Sequence, residues 1–117
     1  MSYQPQGWIG IDLDGTLAYY GHYIGPTHIG PPIPAMAARL EAWLKEGQAV
    51  RIFTARVAST SPYADKSRQA IATWLLANFG VILPITAEKD YAMIELWDDR
   101  CVQVEPNTGK PLDPSRA

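Results

Sequence analysis

Cysteine is all but missing from this sequence: Cys101 stands alone among 117 residues. One thiol excludes an intrachain disulfide and a cysteine-built zinc cluster, and it suits a reducing cytoplasm. Charge is modest, with 10 Lys and Arg against 12 Asp and Glu. A formal net charge of −2 and a pI near 5.6 supply no global attraction for nucleic acid or an anionic membrane. A phosphorylated ligand would have to be attracted locally. No apolar run approaches the length of a membrane span, and the opening Met1-Ser2-Tyr3-Gln4-Pro5 carries no signal-peptide pattern. The expectation is a cytoplasmic protein with no membrane partner. Internal repeats and dividing linkers are also missing, so residues 1–117 read as one domain, with a flexible tail over 110–117.

What is present suffices for one core. The apolar fraction is 47%, ordinary for a folded domain of this size. Four Trp and six Tyr are many for the length, enough to pack the core and line a site. Residues 8–13 form a short apolar run ending in acid, the pattern of a buried strand. Residues 17–33 are rich in Gly, Pro and aromatics and read as a short loop or flap. Pro34 suits a first helical turn; Met36, Leu40, Trp43 and Leu44 follow helical spacing, and Gly47 supplies a stop. A second strand follows at 49–54. A second helix opens at Ser61-Pro62, with a buried stripe of Ile71, Trp74, Leu75, Asn78 and Phe79, and ends at Gly80. Further strands are expected at 81–86, at an edge because of Pro84, at 92–97, and at 101–105. Cys101 reads as a small core residue.

Strands alternating with helices imply an α/β domain with three layers and a mainly parallel sheet. Working sites in such sheets lie at the carboxyl ends of the strands. Asp12-Leu13-Asp14, Thr54 and Asp98-Asp99 all fall at strand ends, with Lys89 just after the third strand. These residue types suit phosphoryl transfer. An attacking carboxylate is repelled by phosphoryl oxygens, and magnesium bound to both removes the repulsion. Asp12 is then the nucleophile, forming an aspartyl phosphate, and Asp14 the general acid and base. Asp12, Asp14, Asp98 and Asp99 are the candidate metal ligands. Thr54 offers a hydroxyl and Lys89 a positive charge to the phosphoryl group. Structural alternatives stand beside these roles: turn or cap residues for Asp12 and Asp14, a solvated strand end for Asp98-Asp99, a cap for Thr54, a surface charge for Lys89.

Asp12-Leu13-Asp14-Gly15-Thr16 after an apolar strand resembles the first motif of phosphatases of the haloacid dehalogenase-like (HAD) superfamily. Thr54 is similar to the second motif, Lys89 to the third and Trp97-Asp98-Asp99 to the fourth. They occur in family order and span most of the chain. The resemblance implies a HAD-like Rossmannoid fold and a magnesium-dependent phosphoric monoester hydrolase. The windows where such enzymes insert a large cap, here 17–33 and 57–88, hold only short segments. A capless site is implied, open to a macromolecular end or covered by a second subunit. The stretch Thr54-Ala55-Arg56, with Asp98-Asp99-Arg100 later, is also similar to the phosphatase half of polynucleotide kinase-phosphatases. The wider chain resembles small HAD-like proteins of phages and bacteria. There is no kinase P-loop. The expected substrate is a nucleotide, a polynucleotide end or another phosphate ester. Gly15, Thr16, Ala55 and Arg56 are expected on the substrate side, helped by Lys66 and Arg68, with Tyr20, His22 and Tyr23 stacking a base or sugar. A non-catalytic module binding a phosphoryl ligand or a protein is the alternative.

Overall fold

Trp8–Asp12 forms the central strand, β1, in the structure, a computed structural model that describes residues 7–116. Residues 1–6 and 117, including the expected start of the chain and the tip of the tail, lie outside the described residues. β1 pairs in parallel with β2 (Ala49–Phe53) on one side and β4 (Met93–Trp97) on the other, while β3 (Ile85–Thr86) pairs with β2. The sheet is four-stranded and all parallel, in the order β3-β2-β1-β4. Two helices complete the architecture, α1 (Pro34–Lys45) and α2 (Ala64–Phe79). The α/β class expected from the alternating pattern is therefore present, with no inserted domain among the described residues.

Alternation along the strands decides which face is which. Ile9, Ile11, Val50 and Ile52 join Met36 and Leu40 of α1 and Ile71 and Leu75 of α2 in one buried cluster, so both helices cover the same face. Burial of each such side chain contributes roughly 1.5–3 kcal/mol. Trp8, Gly10, Arg51 and Phe53 point to the other face. No helix lies there among the described residues. Residues 87–92 cross it instead, connecting β3 to β4. Asp90 anchors the crossing by accepting a 2.8 Å hydrogen bond from Trp8 Nε1 and a 3.2 Å bond from Arg51. The Arg51 guanidinium also sits 4.5 Å from the Trp8 ring centroid.

Several sequence expectations need correction. The third strand is two residues long rather than six; Pro84 cannot donate a ladder hydrogen bond, although its carbonyl accepts from Ile52 N. It is at the sheet edge, as Pro84 suggested. No fifth strand forms at 101–105. That segment makes only an isolated bridge, Val104 to Pro111, and its side chains are exposed. Cys101 is likewise exposed rather than packed in the core. α2 starts at Ala64, after a turn in which Ser61 Oγ accepts from Tyr63 N. Its buried stripe contains Ser67 and omits Asn78, which is exposed and bonds the Trp74 carbonyl.

The 19–31 segment is irregular, as its composition indicated, but it is tied down. Tyr19 N donates to Pro31 O at 2.9 Å and Ile33 N to Leu17 O at 2.8 Å, closing the neck of the loop. Trp74 Nε1 bonds Gly30 O and Ser67 Oγ bonds Pro26 O, fastening it to α2. The neck leaves no room for a side chain: a Cβ on Gly30 would lie 2.1 Å from the Tyr19 carbonyl oxygen. Gly30→Ala is expected to force the neck apart and cost about 1–3 kcal/mol, read as a lower midpoint in chemical denaturation. An unchanged midpoint would mean that the neck has slack.

Candidate active site

β1 and β4 are neighbours, so their carboxyl ends bring Asp12 beside Asp98 and Asp99. One carboxylate oxygen from each of the three lies within 4.8 Å of the others. The turn after β1 makes this approach possible. Leu13 O accepts from Ala18 N and Gly15 N donates to Ala18 O, each at 2.8 Å, folding 13–18 back on itself. Gly15 adopts φ +87°, and a Cβ there would sit 2.6 Å from Asp99 Oδ2. Only glycine lets Asp99 pack against this turn. Thr16 Oγ1 lies 3.3 Å from both Asp12 Oδ2 and Asp99 Oδ1 and accepts from Asp99 N at 3.1 Å. Its single proton serves one carboxylate at a time.

Three crowded carboxylates repel. The Asp12 carboxyl is pushed up to about 7, first by burial, then by the Asp98 charge, a hydrogen bond shared with Asp99 and the Asp99 charge; the Thr16 hydroxyl opposes the rise. The donor set is all oxygen, which fits a hard divalent cation such as magnesium.

A cavity of about 320 Å³ opens on this cluster and is also lined by Thr54, Ala55, Arg56, Tyr20 and Arg100. Thr54 is buried at the end of β2, where its Oγ1 accepts from Arg56 N at 3.2 Å and caps a 3₁₀ turn, Ala55–Val57. Accepting that bond leaves the hydroxyl proton free to donate. The structural and the chemical readings of Thr54 thus coexist.

Other expected site residues are placed differently. Asp14 lines the cavity but does not join the three-carboxylate group. Its two oxygens accept from Arg56, Nε at 2.8 Å and Nη2 at 2.9 Å, so its carboxylate is held in an ion pair beside the three-aspartate group. Arg56 is correspondingly paired with Asp14 on the cavity wall. Gly15 and Thr16 build the turn and do not line the cavity. Lys89 is exposed on the 87–92 crossing, away from the lining of the cavity. The crossing must leave the carboxyl edge directly after β3, and Lys89 is carried off with it. Lys66 faces a separate groove between α2 and the 27–29 segment, and Arg68 bonds the Ile85 carbonyl. Tyr20 borders the aspartate cavity, His22 lines an adjoining one, and Tyr23 lines neither. Arg100 was not singled out from the sequence, although its position next to Asp98-Asp99 was the available signal; its N–H bonds Asp98 Oδ1 at 2.7 Å.

No protein-family model matches the chain, and neither does the sequence of any curated protein. A solved structure described as a conserved protein from Bacteroides thetaiotaomicron is similar, with a TM-score of 0.55 and 19% identity over 88% of this chain and 84% of that one. At that identity the likeness speaks to the fold.

The raised Asp12 group has a stability consequence with a definite sign. Its contribution is fully present below its ordinary value of 3.8 and is lost as pH rises through about 7. Above neutrality the wild-type chain holds an ionised, crowded carboxylate that Asp12→Asn lacks. In a chelator, Asp12→Asn is expected to melt several degrees above wild type at pH ~8, the gain shrinking toward pH ~4. Thermal melts across that range check it; a variant less stable at the alkaline end would mean that the carboxylates do not repel.

Proposed function

We propose that this chain is a magnesium-dependent phosphomonoester hydrolase of the HAD type, with Asp12 as nucleophile. The observation that carries the reading is the convergence of Asp12, Asp98 and Asp99 at adjoining strand ends. They open onto a cavity that also presents the Thr54 hydroxyl and Arg100. Asp12, Asp98 and Asp99 would hold the ion, which when bound neutralises the carboxylates and draws charge from the phosphoryl oxygens.

The side chains then divide the remaining work. An Asp12 oxygen attacks phosphorus as the bond to the leaving oxygen breaks, and the leaving oxygen takes a proton from Asp14. Water attacks the aspartyl phosphate and returns a proton to Asp14, releasing phosphate and restoring Asp12. Thr54 donates a hydrogen bond to a phosphoryl oxygen. Arg100 supplies positive charge on the cavity wall where Lys89 was expected. Arg56 must loosen from Asp14 for the proton transfers, and an incoming phosphoryl group competes for its guanidinium.

That ion pair also favours a second reading, in which the cavity binds a phosphoryl ligand without turnover. With both oxygens held by Arg56, Asp14 orders the binding site and transfers no proton.

Hydrolysis of an aryl phosphate separates the two. Turnover is expected with magnesium and its loss on chelation. Asp12→Asn should abolish it, and Asp14→Asn should slow it by a factor on the order of a hundred or more. Phosphate binding without turnover in wild type would favour the second reading. Substantial turnover by Asp12→Asn would show that another group attacks phosphorus.

A further inference from the structure

The aspartate cavity has a neighbour. A second cavity, of about 340 Å³, lies beneath the 19–31 loop, and the two share Asp14, Tyr20 and Arg56 as a common wall. The second cavity is lined by Tyr19, Tyr20, His22, His28, Ile24 and Ile29. Four aromatic rings and two branched aliphatics are a surface for a flat, weakly polar group. A planar heteroaromatic ring can stack on these faces while its edge bonds the phenol and imidazole groups, whereas a sugar has no flat π face to match them. Apart from the internally paired Asp14 and Arg56, no Lys, Arg, Asp or Glu lines it.

The rings are not used up by the core. Tyr19 is 64% exposed and Tyr20 38%, and His22 and His28 are exposed too. Yet the loop that carries them is fastened at its neck and at Pro26 and Gly30. Arg56 adds a further tie, its Nη1 donating to Pro26 O at 3.3 Å. Little loop entropy remains to be lost when a ligand enters.

We propose that this second cavity is the leaving-group subsite, taking the planar heteroaromatic ring of a nucleotide-sized phosphate ester whose phosphoryl group lies against the three aspartates. The proposal rests on the phosphatase reading for the placement of the phosphoryl group. The ring site itself can be tested without turnover.

The sequence supplies a built-in probe, because its two histidines, His22 and His28, both line this cavity. Their imidazole proton signals therefore report on it without overlap from other histidines. Titrating wild-type protein with adenosine or uridine, which carry no phosphate, is expected to shift both signals saturably. Ribose and inorganic phosphate are expected to shift them little. In kinetics, Tyr19→Ala should lower the ratio of KM for glycerol phosphate to KM for a nucleoside monophosphate at least tenfold, in line with the loss of one stacking ring. Tyr19 is largely exposed, so the variant keeps its core.

Nucleoside-induced shifts in a protein that hydrolyses no phosphate ester would support the ring site while removing the phosphatase reading. Turnover with histidine signals that ignore nucleosides, or that respond equally to ribose, would overturn the ring site and leave the phosphatase reading standing. An unchanged KM ratio in Tyr19→Ala would overturn it as well.

Discussion

One guanidinium ties this site together. Arg56 spends Nε and Nη2 on the two oxygens of Asp14 and directs Nη1 at the carbonyls of Gly25 and Pro26. It thereby links the turn after β1, the segment after β2 and the 19–31 loop, three pieces of chain with no ladder hydrogen bonds in common. The bidentate geometry explains why a lysine could not replace it: a point charge cannot fix an orientation on both oxygens while reaching a third segment. The pair is partly buried, its side chains 11% and 22% exposed, so removing either partner would leave the other poorly solvated. The shape of both cavities follows from this contact, because Asp14 and Arg56 stand on the wall between them.

The three-carboxylate cluster is held by a different device. Strand pairing puts Asp12 beside Asp98, but Asp99 is brought in by Gly15 and Thr16: the first by having no side chain, the second by bonding both the backbone and the carboxylate of Asp99. A turn whose positive φ favours glycine, followed by a hydroxyl placed between two acids, crowds like charges. The Asp12 carboxyl is raised first by its burial and then by these neighbouring charges. Asp99 stays open to water, with its backbone N–H held by Thr16 and its carboxylate within reach of the same hydroxyl.

Much of this was legible in the sequence, and the failures share a cause. β1, α1 and β2 announce themselves through local signals: an apolar run ending in acid, a proline at the helix start, period-3.6 burial. The first and fourth motifs fall on neighbouring strands, and local reading placed their aspartates correctly at the carboxyl edge. What failed depends on partners distant in sequence. Nothing local reveals that Arg56, 42 residues away, takes both oxygens of Asp14. The 101–105 segment has strand-like composition, but a strand needs an edge to pair with, and this one bridges only to Pro111. Cys101 followed that segment into the open. Helical periodicity identified Ile71 and Leu75 and missed Ser67, whose burial comes from its bond to Pro26 on the loop. Tyr23 could not be told from Tyr20 by composition, since only the fastening of the loop decides which ring faces the site.

The misplacement of Lys89 has a geometric origin with consequences for charge. Between Thr86 and Met93 the chain must pass from the carboxyl end of one edge strand to the amino end of the other. Seven residue steps span at most roughly 25 Å, while the four steps of a five-residue strand and three strand spacings make a diagonal of roughly 20 Å. The connection is therefore short; it turns at its far end, where Met93 N donates to Asp90 O, and Asp90 fastens that end to Trp8 and Arg51. A helical crossover would have had length to spare. Two cations line the aspartate cavity, Arg56 and Arg100, and the first is paired with Asp14. Arg100 then faces three acids alone. Part of their negative charge is met by the proton that Asp12 holds more tightly than an ordinary carboxyl, and the all-oxygen donor set would suit a hard divalent cation.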